Sequence, residues 1–340
     1  MPATQDNANQ TGERIQQDTI LSVPFDNTST SSSLEINDSL SLTSSMENVE
    51  INRAVVAGLQ VKDETDEENS SALMSTTTKT PSLAIILGPG LYRSMAHLSV
   101  LKKLEQSGIR PNIICGMELG AIIAAMYARG VTTAKIEWQF YKFFKEVSKI
   151  TPYSVDWFQI LSETLLSDFK NANIEDSKIT LVIPVTDRRD GEIIYLREGD
   201  LYNALLSNAS PIKADSEKFG LKHSAAYLKH IFFRDEFARM GADIVVGIDV
   251  LGRNISLQRA SDLFIGVWGK IVTVIQREKN SPDLYFLVEA DNIPLDSTNK
   301  IPSLLDKSYQ SAGPLSLAIK EKINEWKKTF AEEQSENINL

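Results

Sequence analysis

The chain has 340 residues, a formal net charge of −10, 24% charged residues and 42% hydrophobic residues. This length suits one large domain or two of ordinary size, and no apolar run approaches the roughly 18–20 residues that span a bilayer. A single cysteine, Cys115, excludes a disulfide framework, and only three histidines, His97, His223 and His230, argue against a metal centre. We therefore expect no metal, no cofactor and no transmembrane segment.

The negative charge is concentrated in residues 1–80, which contain 13 Asp and Glu against 4 Lys and Arg. This segment is rich in Ser, Thr, Asn and Gln and includes an acidic run at 63–68, a composition that cannot bury enough apolar surface to offset the entropy of ordering. We predict a mostly disordered acidic tail over residues 1–80. Residues 81–340 contain 32 acids and 31 bases, interleaved along the chain, so nucleic acid is not an expected partner.

One part of the tail has a helical pattern. Ser44 or Ser45 could cap a short helix whose apolar stripe is formed by Met46, Val49, Val56 and Leu59. This helix is either a docking element or a weakly helical patch in a linker, because isolated helices of this length are marginal in water.

From residue 81 onward, apolar strands alternate with amphipathic helices. The pattern predicts strands at 82–87, 112–116, 180–185, 192–196, 243–249 and 284–288, and helices at 95–104, 121–128, 228–240 and 315–332. The turn Asp190-Gly191 suggests a hairpin, and the aromatic-rich residues 134–170 suggest a helical insertion or cap. Such alternation predicts a three-layer α/β fold with a mainly parallel central sheet over residues 81–340.

The first predicted strand runs into the loop Gly88-Pro89-Gly90-Leu91-Tyr92-Arg93. A loop of this kind at a helix N-terminus presents backbone N–H groups to a phosphate or a developing oxyanion, although it can also be a simple tight turn. A dinucleotide site would need a glycine in place of Arg93 and an acid at the end of the second strand, so it is disfavoured. Arg93 either holds a phosphate or lipid headgroup or braces the loop through a salt bridge.

The second strand runs into Gly116-Met117-Glu118-Leu119-Gly120, followed by an apolar helix. Acyl hydrolases place the nucleophile elbow Gly-x-Ser-x-Gly at such a turn, with glycines because the strained turn brings backbone segments into contact. Gly116 and Gly120 fit this pattern. Glu118 occupies the position of the serine.

These motifs resemble those of the patatin-like phospholipase family, which has a glycine-rich oxyanion loop, a serine elbow and an Asp-Gly-Gly or Asp-Gly-Ala motif. Residues 88–101 are similar to the oxyanion loop and first helix, with Pro89 and Ser94 in place of two glycines. Residues 183–187, 190–191 and 209–211 resemble the middle strands and the segment before the catalytic aspartate, and residues 239–243 resemble the stretch after it. The resemblance covers most of residues 81–310 and implies the patatin-like fold.

The resemblance also implies a Ser–Asp dyad, with the aspartate at about 223–226. The chain has His223-Ser224-Ala225-Ala226 there, and no Asp lies between Ser216 and Arg234. Both members of the dyad are therefore missing. The resemblance thus points to a catalytically inactive protein with a regulatory, scaffolding or lipid-binding role. The alternative is an active phospholipase A or esterase that uses a non-standard catalytic residue.

Glu118 has two further interpretations. The N-terminal dipole of the elbow helix favours an anion, so the carboxylate could accept hydrogen bonds from the loop around Gly90 and fill the former oxyanion site. Alternatively, it caps its helix and faces water. Covalent attack by this carboxylate would produce a mixed anhydride and has no partner base, and the serines near the site, Ser94, Ser99 and Ser224, do not lie on an elbow.

The remaining candidates carry less chemistry. His97 is expected to be a packed or surface histidine, and His223 and His230 lack the adjacent acids of a metal site. Expected partners are a protein, through residues 1–80 or the former active-site face, or a lipid or acyl chain. The N-terminus has no signal-peptide pattern, so we expect a cytoplasmic protein, with attachment to a membrane surface as an alternative that no basic amphipathic stretch supports.

Overall fold

A computed structural model describes residues 19–22, 79–211, 217–258 and 262–338, with the backbone alone at 19–22, 262–263 and 336–338. The docking helix predicted in the tail lies outside these residues. Four residues of the segment expected to be disordered form strand β1 (Thr19–Ser22), which pairs antiparallel with β8 (Asn254–Leu257). The expectation for the rest of the tail also falls outside the described residues.

The domain is built on a seven-stranded sheet with the order β5-β4-β3-β2-β7-β9, in which β6 also pairs with β4. Its strands are β2 (Leu83–Leu87), β3 (Ile113–Gly116), β4 (Thr180–Asp187), β5 (Ile193–Leu196), β6 (His223–Ala225), β7 (Ile244–Asp249) and β9 (Leu284–Leu287). Strands β4, β3, β2, β7 and β9 are parallel, whereas β5 and β6 run antiparallel to β4. The predicted mainly parallel sheet is confirmed.

The helices are α1 (Ala96–Gln106), α2 (Leu119–Ala128), α3 (Thr133–Val147), α4 (Val155–Phe169), α5 (Leu201–Ala209), α6 (Arg234–Arg239), α7 (Asp262–Glu278) and α8 (Ile301–Ile338). Every residue of α2 is buried, which matches its apolar sequence. Short 3₁₀ turns at Leu91–Met95 and Ile174–Asp176 complete the elements used below. In the part of the chain that the structure describes, no helix is both long and apolar enough to cross a membrane.

The central strand β2 determines where the candidate site forms. All five of its residues are buried, as expected for a parallel strand covered on both faces. Its register places Leu87 beside Gly116 of β3 and Ile248 of β7. Since parallel strands end at the same edge of the sheet, the glycine loop after β2 and the elbow after β3 lie next to each other.

The predicted helix at 228–240 is wrong over its first half, because only Arg234–Arg239 is helical. The backbone N–H groups of Ile231 and Phe232 both donate to the Glu278 carboxylate, at 2.8 and 3.1 Å. These bonds replace the helical ladder and hold the preceding chain as a loop.

The last helix is longer than predicted, because it begins at Ile301 and continues through Pro314. Proline usually ends a helix, since it lacks an N–H donor. Here a row of buried apolar residues keeps the helical period on both sides of it: Ile301, Leu304, Ala312, Leu315 and Ile319. The burial of this continuous stripe outweighs the loss of one hydrogen bond.

We expect Gly116→Ala to lower the free energy of unfolding by about 3 kcal/mol, the upper end of overpacking costs. A Cβ at this position would lie 2.2 Å from the carbonyl oxygen of Gly120 and 2.6 Å from Cα of Ala121. Gly269→Ala in α7 is the matched control, because it has open space and should gain roughly 0.5–1 kcal/mol. Urea denaturation measures both values. An unchanged midpoint for Gly116→Ala would contradict the close contact.

Candidate functional site

The site is centred on Glu118, which lies in the sharp turn between β3 and α2. Its backbone has φ 57° and ψ −127°, a left-handed conformation that non-glycine residues rarely adopt. The turn packs against the glycine loop, since a Cβ on Gly120 would lie 3.2 Å from the carbonyl oxygens of Leu87 and Gly88. This is the strained strand-to-helix turn predicted from Gly116 and Gly120.

The Glu118 side chain is fully buried and points back toward the glycine loop. Its Oε2 accepts hydrogen bonds from the backbone N–H groups of Gly90, at 3.1 Å, and Leu91, at 2.7 Å. Its Oε1 accepts a hydrogen bond from the Tyr153 hydroxyl. The hydrogen bonds predicted around Gly90 are therefore present, and the interpretation that Glu118 faces water is wrong.

The glycine loop is held tightly in the shape that presents these two N–H groups. A Cβ on Gly90 would lie 2.3 Å from Cγ2 of Val250, so the position requires glycine. Leu91 has φ 46°, and the Arg93 N–H donates to the Gly90 carbonyl at 2.9 Å. The N–H of Gly88 donates to Ile248 of the neighbouring strand at 2.8 Å. The loop is thus more than a tight turn, because two of its donors converge on one oxygen.

Arg93 braces this loop from below. Its side chain is almost fully buried and donates to the backbone carbonyls of Ile293 at 2.6 Å, of Asn254 at 3.1 Å, and of Leu251. Burial lowers the pKa of the guanidinium to about 10, although the charges of Asp291 and Asp249 oppose this. Three carbonyls take the place of the salt bridge suggested by the sequence, and the guanidinium is directed at backbone rather than at a headgroup.

His97 was expected to be either packed or on the surface, and the structure shows it packed and fully buried. Its Nε2 lies 2.8 Å from the carbonyl oxygen of Gly88, so Nε2 carries the proton and donates it. Burial lowers the pKa of His97 to about 4, while the bond to Gly88 opposes the shift. The ring is therefore neutral at physiological pH and fixes the loop from its helix.

Asn208, at the end of α5, braces the elbow. Its Oδ1 accepts the backbone N–H of Glu118 at 2.7 Å, and its Nδ2 donates to the carbonyls of Pro184 at 2.8 Å and Gly116 at 3.4 Å. The side chain is completely buried. Sequence reasoning singled out the neighbouring Ala209-Ser210-Pro211 but missed Asn208, because nothing in its local pattern distinguishes it from a surface amide.

An aromatic cluster covers the carboxylate on the side of α3 and α4. Tyr153, itself at φ 62°, packs against Trp157, Phe158 and Phe264 with ring centroids 5.4–6.3 Å apart. Trp157 donates to the Tyr92 hydroxyl at 3.0 Å, which ties this cluster to the glycine loop. Residues 134–170, predicted as a helical insertion or cap, thus form the helices α3 and α4, whose buried aromatic residues cover this side of Glu118. Tyr153 was missed as a site residue because its aromatic neighbours concealed its polar role.

A small cavity lies between α2, α3 and α4. Its volume is about 20 Å³, and it is lined mainly by apolar residues, among them Ile122, Met126, Phe140, Phe143, Leu161 and Leu165. That volume accommodates about one water molecule.

Burial raises the pKa of the Glu118 carboxyl to about 7, while the hydrogen bonds from Tyr153, Leu91 and Gly90 act in the opposite direction. Burial and the neighbouring Glu118 charge raise the pKa of Tyr153 well above its ordinary value. Burial, and after it the charge of Glu118, also raise the pKa of the fully buried Tyr227 well above its ordinary value. The site therefore holds one carboxyl that titrates near neutrality beside phenols that stay protonated.

The segment that should contain the aspartate forms β6 and the turn after it. His223 is half-buried opposite Asp187 in the register with β4, Ser224 lies opposite Thr186, and Ala225 donates its N–H to Ser210 at 2.9 Å. Ala226 is buried and its carbonyl accepts the N–H groups of Lys229 and His230. His230 itself contacts Glu278, with Nδ1 3.0 Å from the carboxylate.

Comparison with known proteins identifies a match to one protein family, which covers more than half of residues 81–340. Residues 85–247 match the family model described as patatin-like phospholipase. The chain is 24% identical over 180 residues to "Lysophospholipase nte1" of Aspergillus fumigatus, which covers 49% of the chain and 12% of that protein. It is 23% identical over 202 residues to the human "Patatin-like phospholipase domain-containing protein 6", covering 55% of the chain and 14% of the relative.

The matched region is a small part of these curated relatives. Among solved structures, the type III effector protein ExoU matches with a TM-score of 0.35 and 11% identity, over 70% of this chain and 53% of that one.

We expect Asn208→Ala to lower the free energy of unfolding by about 2–3 kcal/mol, because it removes the side-chain acceptor of the buried Glu118 N–H and a donor to the Pro184 carbonyl. Asn203→Ala is the matched control, since Asn203 lies exposed on the same helix. Thermal and urea unfolding measure both variants. Equal effects at the two positions would contradict a bracing role for Asn208.

Stability should also depend on the charge of Glu118. Its folded-state pKa of about 7 lies above the ordinary 4.5, so the folded protein retains a proton that the unfolded chain releases. The stability that this group contributes is therefore full below pH 4.5 and is lost as pH rises through about 7. We expect the wild type, relative to Glu118→Gln, to lose up to about 3 kcal/mol between about pH 5 and pH 8.

Urea unfolding of both proteins at the two pH values measures this difference. The other titrating groups are common to both proteins, so they cancel. A difference between wild type and Glu118→Gln that is the same at both pH values would contradict the raised pKa.

Proposed function

Residues 85–247 belong to the patatin-like phospholipase family, and from this premise we propose that the chain is a catalytically inactive member whose acyl site is closed by its own Glu118. One observation carries the proposal: the buried Oε2 of Glu118 accepts the N–H groups of both Gly90 and Leu91. In an acyl hydrolase, backbone donors in this place would stabilise the oxyanion of the tetrahedral intermediate. Here a side chain of the protein already occupies them.

The chemistry around Glu118 supports the same conclusion. Its carboxylate contacts two backbone amides and a phenol, none of which is a base at neutral pH. Attack by the carboxylate on an ester would give a mixed anhydride that still has to be hydrolysed, and no described neighbour is placed to activate water. The neutral His97 has its Nε2 proton engaged with Gly88. Geometry and protonation both oppose turnover.

Closure of the site also affects what can bind. Glu118 has no exposed surface, and Tyr153 above it is 7% exposed. An acyl chain entering from the cap would have to displace Tyr153 and its aromatic neighbours. We therefore assign the protein a regulatory or scaffolding role, in which its surfaces rather than this interior contact a protein or a lipid. The activity printed for the curated relatives, lysophospholipase, is not expected of this chain.

We expect no hydrolysis of short-chain esters or lysophospholipid by the purified full chain above a protein-free blank. Glu118→Ala and Glu118→Ser should be equally inactive, because a new serine at 118 would lack a base. A fluorophosphonate probe, which labels activated serines, should leave all three proteins unlabelled. An active patatin-like phospholipase in the same assays provides the positive control.

Two results would overturn the proposal. Wild-type turnover that disappears in Glu118→Ala would make the chain an acyl hydrolase of non-standard mechanism. Turnover or labelling that survives in Glu118→Ala but disappears in Ser94→Ala, Ser99→Ala or Ser224→Ala would assign a different nucleophile.

A further inference from the structure

The outer face of α3 and the turn after it carry one tryptophan and four exposed lysines. Trp138 is 56% exposed, the largest exposed aromatic surface among the described residues. The lysines are Lys135, Lys142 and Lys145 on the helix and Lys149 in the turn that follows it. The separations of three, four and three residues place Lys135, Trp138, Lys142 and Lys145 on one face of α3. We call this face the Lys/Trp stripe.

The lysines of the stripe form no ion pair with the residues that the structure describes. None of the four lysines lies within 4.0 Å of a described carboxylate. Asp168 on α4 lies near Lys135 and Lys142, and it is partly buried and hydrogen-bonded to Gln139. Glu146 borders the stripe on the same helix.

Trp138 is arranged as part of the charged surface rather than as a core residue that became exposed. The Nζ of Lys142 lies 3.4 Å from the centre of its indole ring. Core packing is the task of the opposite face of α3, where Phe143 and Phe144 contact Trp157 and Tyr92. A tryptophan presented among lysines is the combination typical of helices that lie in the interface of an anionic membrane, with indole among the headgroups and ammonium groups on the phosphates.

We propose that the Lys/Trp stripe is a docking surface for an anionic lipid bilayer, on which α3 lies parallel to the membrane. Charge complementarity selects this occupant, since the four lysines lie together in a folded part whose 32 acids and 31 bases are otherwise interleaved, and α8 pairs its lysines with acids, as in Lys322–Glu325 and Lys328–Glu332. The sequence pattern did not indicate this basic face, because the lysines are spaced along the chain and come together only on the surface of the helix. The proposal does not depend on whether Glu118 is catalytic.

The test is sedimentation of the full chain with phosphatidylcholine vesicles that contain phosphatidylserine, compared with pure phosphatidylcholine vesicles, at low and high NaCl. The wild type should prefer the anionic vesicles, and salt should weaken its binding. Lys135→Gln/Lys142→Gln/Lys145→Gln should reduce this binding by about a hundredfold, since each lysine near an anionic surface contributes about fivefold. Trp138→Ala should reduce binding to both vesicles.

Matched controls separate the stripe from total charge and total hydrophobicity. Lys320→Gln/Lys327→Gln/Lys328→Gln on α8 removes the same charge from another exposed helix and should leave binding unchanged. Leu317→Ala removes a 63% exposed apolar side chain and should also have no effect. Circular dichroism and melting temperature verify that each variant is folded.

Three outcomes would overturn the proposal. The wild type could bind both vesicle types equally or neither. The α8 variant could lose as much binding as the stripe variant. Binding could appear only after the acids at 63–68 are replaced by amides, which would show that the chain's own acidic segment occupies the stripe.

Discussion

A carboxylate without access to water, bound to two backbone N–H groups, is the interaction on which this domain depends. Glu118 joins three parts of the chain that are distant in sequence: the loop after β2, the turn after β3, and the cap through Tyr153. Each part is shaped for the contact, by Gly90 and Leu91 in the loop and by Asn208 behind the turn. Since a buried charge without donors is strongly unfavourable, these parts stabilise one another or are lost together.

The backbone N–H donors of Gly90 and Leu91 bear on whether the site is closed by its own side chain or has only lost its nucleophile. A site that had merely lost its nucleophile would have little reason to keep a left-handed residue at 118 or a glycine loop that tolerates no Cβ at Gly90. Both features are present here, with the Glu118 carboxyl in the place where an acyl-transfer reaction would generate an oxyanion. This supports the proposal that the fold has been retained for its surfaces and its stability. The Lys/Trp stripe lies on the outer face of α3, whose inner face packs on the aromatic cluster through Phe143 and Phe144, so the proposed lipid surface and this cluster share one element.

The residues that could be predicted are those whose requirement is local. Gly116 and Gly120 predicted a tight strand-to-helix turn, and the apolar runs predicted the buried parallel strands. The residues that could not be predicted are held by partners that are distant in sequence. Asn208 of α5 binds the N–H of Glu118 in the elbow, and Glu278 of α7 accepts the N–H of Ile231, which therefore does not join a helix. The predicted start of the last helix, at residue 315, was wrong. The local propensity of Pro314 indicates a break, whereas burial against the rest of the fold continues the helix through it. Arg93 was expected to bind an anionic group or to form a salt bridge, whereas its guanidinium donates to backbone carbonyls.

The bonds of Arg93 have a consequence for biosynthesis. The carbonyls that receive its guanidinium belong to residues 158, 161 and 200 positions downstream, and β2 itself lies between β3 and β7. When the ribosome has just released the glycine loop, none of these partners exists. The loop and its arginine must wait until residue 293 has emerged, so the nascent chain carries an unfinished first half through most of its translation.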